Sequence, residues 1–211
     1  RSPMTLIPHT GDLTWIMINA RGSAALMKDP WADTDSLLRE YLAVYTGADS
    51  LAQAFLVELL NESHAISREG LTFPTAVRTK IRGLGTDVPP GIYTYWDLVL
   101  ASSAVNAILY KAGAEQYDSI IQTLDRPVRS VEDYLARSEK VKGHMDPSEL
   151  NQLQEGLRYE LSLFNALNLH KKWILHHYHY LATGDGNARE AFLNTADTLE
   201  KAVAGHEQDY G

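Results

Sequence analysis

Cysteine is absent from this chain, which rules out disulfide bonds, thiolate metal sites and a cysteine nucleophile. Long apolar runs are missing as well. The most apolar stretch, 98–110, is broken by Ser102, Ser103 and Asn106, and it falls short of the roughly 20 residues a bilayer-spanning helix needs. No membrane partner is expected. Positive charge is in deficit: 19 Lys and Arg against 27 Asp and Glu leave a net charge of −8. Nucleic acid is therefore not expected as a partner, because phosphate binding needs a basic face. No G-x-S-x-G elbow occurs, and no apolar–polar alternation persists long enough to mark a strand. The chain opens RSPMTLIPHTGD, neither a signal peptide nor an initiator methionine, so processing, a tag remnant or excision from a longer protein is the expectation.

What is present is helical periodicity with well-marked stops. A first helix is expected over 13–27, entered from Asp12 and stopped by Lys28-Asp29-Pro30. A second follows an Asp33 or Thr34 cap, with an apolar stripe of Leu37, Leu38, Tyr41, Leu42 and Tyr45 and a left-handed stop at Gly47. A third covers 50–69, with Leu51, Phe55, Leu59 and Ile66 on its inner face and Gly70 as its stop. After the Gly/Pro stretch a fourth helix starts at Thr94, and its near-continuous apolar character marks it as buried. Shorter helices over 114–124 and 130–141 are separated by Asp125-Arg126-Pro127.

The longest helix is signalled most clearly. Asp146, Pro147 and Glu149 have the form of a cap, a first helical residue and a reciprocal partner. Leu150, Leu157, Phe164 and Tyr178 recur at one heptad position, and Leu153, Leu167, Ile174 and Leu181 at the other. Glu160 and Lys171 interrupt that seam, which favours packing inside a bundle over a free coiled-coil dimer. Asn187 then caps a last helix to residue 204, with Phe192, Leu193, Leu199 and Val203 as its buried face. The expectation is an all-α fold: one helical domain over 1–211, a bundle of about seven or eight helices with one long Gly/Pro-rich loop at 71–95.

Three constellations invite chemistry. His176-His177-Tyr178-His179-Tyr180, with His170 one heptad before His177, suggests metal. A zinc site needs three or four convergent ligands, however, and no acidic residue stands at the helical partner positions. On the heptad frame His176 and His179 point to solvent while His170 and His177 flank the seam. No metal and no cofactor are expected. Glu58 and Glu62, four apart, read as a solvated face rather than a hydrolase pair. Gly83-Leu84-Gly85 lacks the preceding strand that a dinucleotide fingerprint requires.

The third constellation is the segment 79–97, TKIRGLGTDVPPGIYTYWD. Its glycines and prolines define a fixed, irregular path, and irregular segments this long inside domains are usually functional when they are ordered. Arg78, Lys80 and Arg82 precede the start of the fourth helix, where free amides favour an anion. Tyr93, Tyr95 and Trp96 follow, and such rings stack on sugars. Arg could clamp a carboxylate in bidentate fashion. These six residues are the candidate site for an acidic or sugar ligand. The competing reading makes the segment a crossover that packs on a neighbouring domain.

GDLTWIMINARGSAALMKDPWADTDSLLREYLAVYTG and YELSLFNALNLHKKWILHHYHYLATGD resemble helices that follow the catalytic barrel in α-glucuronidase-like glycoside hydrolases. In that family the catalytic carboxylates lie on the barrel, which this chain lacks, so no catalytic residue carries over. The resemblance implies an all-helical accessory domain of a carbohydrate-active enzyme. Its expected partners are the catalytic domain of the same parent chain, a carbohydrate or uronic acid, and a second copy as a homodimer. The alternative is a stand-alone helical binding or scaffold protein with no link to sugars.

Overall fold

A computed structural model describes residues 14–73 and 103–211, and among these the chain is all-α, with no strand. Six helices have 13 residues or more: α1 (Thr14–Lys28), α2 (Thr34–Thr46), α3 (Ser50–Leu71), α6 (Arg126–Ser138), α7 (Pro147–Thr183) and α8 (Gly186–Tyr210). Two shorter ones, α4 (Ser103–Gly113) and α5 (Tyr117–Thr123), stand between α3 and α6. The helices fall into two compact units, Arg1–Ser67 with Ser130–Leu161, and Arg68–Arg129 with Ser162–Gly211. No described helix is long and apolar enough to cross a membrane.

Local chemistry sets most boundaries. Asp33 caps α2 by accepting from the Asp35 amide, and Gly47 closes that helix at φ 62°. Asp146 accepts from the amide and hydroxyl of Ser148 at 2.8 and 2.6 Å, with Pro147 as the first residue of α7. Gly184, at φ 71°, marks its end. The first unit is pinned between loops: the Asp146 amide donates to Thr46 O, the Asp49 amide donates to His144 O, and the His144 ring bonds Asp49 at 2.7 Å.

Four boundary or burial expectations are corrected. Gly70, expected to end α3, lies inside its last turn, where a Cβ would come within 2.8 Å of the Phe164 ring. Packing, not backbone conformation, requires glycine there. Helix α6 begins at Arg126 rather than 130, because Pro127 fits the first turn, where its missing N–H is no loss. Asp185, not Asn187, caps α8, accepting from the Asn187 amide at 3.0 Å, and the helix runs on to Tyr210. Its expected inner face is also revised. Leu193 and Val203 are exposed, and only Ala188 is fully buried.

The α7 seam holds over most of its length. Leu150, Leu153, Leu157, Phe164, Leu167 and Ile174 are all buried. Leu181 breaks the pattern at 61% exposed, since it sits in the last turn, next to the chain reversal. Leu51 on α3 is likewise exposed, and Ile108 gives the described part of α4 an open side.

Candidate functional site

Arg78, Lys80, Arg82, Tyr93, Tyr95 and Trp96 all lie outside the described residues. Elements on either side of the 74–102 segment are described, and they contribute to one core. Phe73, at its entrance, shares one buried cluster with Leu109 and Tyr110 on α4, Ile120 and Leu124, and Ile174 and Leu175 on α7. The C-terminal end of α3 is held separately. Lys171 of α7, 2% exposed, donates to Gly70 O at 2.5 Å, Glu69 O at 3.2 Å and Asn168 Oδ1 at 3.1 Å. Those carbonyls belong to the last turn, where no intrahelical amide reaches them, and the helix dipole is negative there. Asn168 in turn donates to Leu124 O.

Burial pulls the Lys171 ammonium down to about 7, and the Glu69 charge pulls it back up. The three oxygens match the three N–H bonds of the charged form, so the geometry favours the ammonium. An amine with every proton donated offers no lone pair for attack. Lys171 is a clamp. Sequence reasoning saw it only as an interruption of the seam, and that was the available signal: a charge at a heptad core position must find partners.

The histidines of α7 are placed differently from the sequence expectation. His176 and His179 do not stand free on a solvent face; both are half-buried against α4 and α5. The Tyr117 hydroxyl and His176 Nδ1 share a hydrogen bond of 2.5 Å, and the Tyr110 hydroxyl and His179 Nδ1 share one of 3.0 Å. The Tyr117 ring lies flat on His179, centroids 3.8 Å apart and planes within 6°. On the other side Trp173 and His177 pack on Phe192 of α8, with centroids 5.6 and 4.7 Å away. His170 is buried at 6% exposed.

The electrostatics follow from this packing. Burial, helped by Lys172 and His179, lowers His176 below the usual histidine range. Burial, with Lys171 next to it, takes His170 down to about 4. Burial first, then Asp118 and Asp185, raise the Tyr117 phenol to about 12. His170 and His176 are thus held neutral and the Tyr117 phenol protonated, groups that orient and pack. Among the described residues no group of three His, Asp or Glu is arranged to hold a metal ion.

Glu58 is also relocated. It is not a merely solvated carboxylate, because Arg137 of α6 grips both of its oxygens at 2.8 and 2.5 Å, with Asp133 at 3.2 Å. The guanidinium lies over Tyr134, 5.0 Å from the ring centroid. That bond holds Glu58 below its ordinary range.

These features define an all-helical protein whose described polar groups tie helix to helix. Comparison with family models, with curated proteins and with solved structures finds no match.

Proposed function

We propose that this chain is a non-catalytic helical accessory domain of a carbohydrate-active enzyme, a glycoside hydrolase. In this reading it supports the catalytic barrel, and the 74–102 segment presents Arg78, Lys80 and Arg82 with Tyr93, Tyr95 and Trp96 to an acidic sugar. The cations hold a uronate carboxylate, and the aromatic faces cover the apolar side of the ring. The observation that carries the reading is the anchoring of that segment's ends, with Phe73, Leu109 and Tyr110 in one core cluster and Lys171 clamped on the end of α3. A cation-and-aromatic segment that runs between two elements of one core suits a binding role, because less ordering entropy is lost when ligand arrives.

Calorimetric titration of glucuronic acid into the purified chain and into Arg82→Ala tests the proposal. Loss of the guanidinium should weaken binding by about 1.5–3 kcal/mol with no change in denaturation midpoint. Equal binding by both proteins, or no binding by either, overturns the acidic-sugar reading. A parent reading frame that encodes a barrel next to this chain would independently support the accessory-domain reading.

A further inference from the structure

In the second compact unit Ser162 of α7 and His206 of α8 meet, with Oγ and Nδ1 3.0 Å apart. A base takes a proton from a hydroxyl nucleophile within this reach. The bond is not the one a serine inside a helix ordinarily makes. Thr46, Ser63, Ser138 and Thr198, also in helices, each donate to a carbonyl three or four residues back. Ser162 instead bonds the imidazole, its one partner among the described residues. The direction of the bond follows. With the ring proton on Nδ1, the hydroxyl would have no acceptor among these residues; with it on Nε2, Ser162 donates and Nδ1 offers its lone pair. Tyr210, one turn further on, steadies the ring, with centroids 5.3 Å apart. Both residues are half-buried, so a small molecule can reach the pair. Gly205 leaves the adjoining helix surface clear, since nothing lies within 4 Å of where its Cβ would be.

We propose that Ser162 is a covalent modification site, acylated by an activated ester with His206 as the base. Oγ attacks the carbonyl carbon of the ester while its proton passes to Nδ1. The new bond between carbon and Oγ forms, the bond to the leaving group breaks, and the leaving group departs with the proton that His206 took up. Nothing is oxidised or reduced.

The surroundings set the limits of this chemistry. Ser162 and His206 both lie within helices, where each backbone amide is already bonded one turn back. No such amide is left to stabilise a developing oxyanion. Only a donor whose leaving group is already good, such as a thioester or an aryl ester, should therefore react. The product is an alkyl ester of serine, whose alkoxide is a poor leaving group, so the acyl group stays on the chain. The chain is thus an acyl acceptor and not an esterase. This accords with a non-catalytic domain and does not rest on the sugar-binding reading.

Incubation of the full chain with p-nitrophenyl acetate, followed by peptide mapping in a mass spectrometer, tests the proposal. Ser162 should gain acetyl about tenfold or more faster than Ser50 and Ser119, exposed serines that bond no imidazole among the described residues. His206→Gln can still accept from the Ser162 hydroxyl but cannot take its proton. That variant should slow acetylation of Ser162 about a hundredfold with an unchanged circular dichroism spectrum. The comparison among serines holds within the wild-type chain, whatever the stability of the variant. No acetyl on Ser162, a rate equal to that of Ser50 and Ser119, or an unchanged rate in a folded His206→Gln would each overturn the proposal.

Discussion

Lys171 shows how much can depend on one buried charge. Its four-carbon stem fills a core position of α7 while its amine satisfies two carbonyls at the end of α3 and the Asn168 side chain. Removing only the amine leaves those oxygens short of a donor; removing the stem adds a cavity. Lys171→Met should therefore cost about 1–3 kcal/mol, and Lys171→Ala about 3–5 kcal/mol, measured as shifts in guanidinium denaturation. Equal losses from both would assign the whole effect to hydrogen bonding and none to packing. His176 and His179 belong at this scale too. With Tyr117 and Tyr110 bonded to them, neither is a neutral surface position.

At the scale of elements, α7 does the most. Leu157 is buried in one compact unit and Phe164 in the other, so a single helix supplies core to both. Leu157→Ala should cost about 2–5 kcal/mol and Phe164→Ala about 3–5 kcal/mol. The Phe164 ring also fills the space that a Cβ on Gly70 would need. If either truncation costs less than about 1 kcal/mol in chemical denaturation, the packing assigned to that stretch of α7 is wrong. Helix α8 is the contrast. It is long, but its inner side consists of the small Ala188, the half-buried Phe192 and Leu199, and His206 bonded to Ser162 at 3.0 Å.

For the whole molecule, stability should depend on pH through its buried histidines. His170 sits at about 4 in the folded chain and near 6.5 when unfolded. Between those values the unfolded chain holds a proton that the folded chain does not, so acidification favours unfolding. Stability should fall by up to about 3 kcal/mol from pH 6.5 to 4, and lowered His176 acts in the same direction. The Asp33, Asp49 and Asp146 carboxyls, held low by their hydrogen bonds, contribute at neutral pH and lose that contribution as pH falls through their folded values. Glu160 opposes this. Burial lifts it to about 8, and its Oε2 has no hydrogen-bond partner among the described residues. Its contribution is complete below about 4.5 and fades as pH rises toward 8. Denaturation of wild type and His170→Gln across pH 7 to 4 checks the histidine share: the variant should show the shallower slope, and parallel curves would remove His170 from the account.

Helix type, the Asp33 and Asp146 caps, the Gly47 stop and the α7 seam were legible in the sequence, because each depends on residues within about one turn or one heptad of each other. The choice of Asp185 over Asn187 as a cap, or of Arg126 over Ser130 as a start, turned on which of two adjacent signals the backbone used. Other features depended on residues brought together from far along the chain. Gly70 reads as a stop until Phe164, ninety-four positions later, is seen to fill its space. Lys171 reads as a flaw in a seam until the end of α3 is set against it. His176 and His179 read as solvated because heptad position reports the helix's own geometry and says nothing of α4 and α5. The sequence by itself determined the helical class and those ends that a local cap or glycine sets, as at Asp33, Gly47 and Asp146. Tertiary structure alone decided which polar side chains became partners, because a buried donor or acceptor is satisfied by whatever the fold brings near, however distant in sequence.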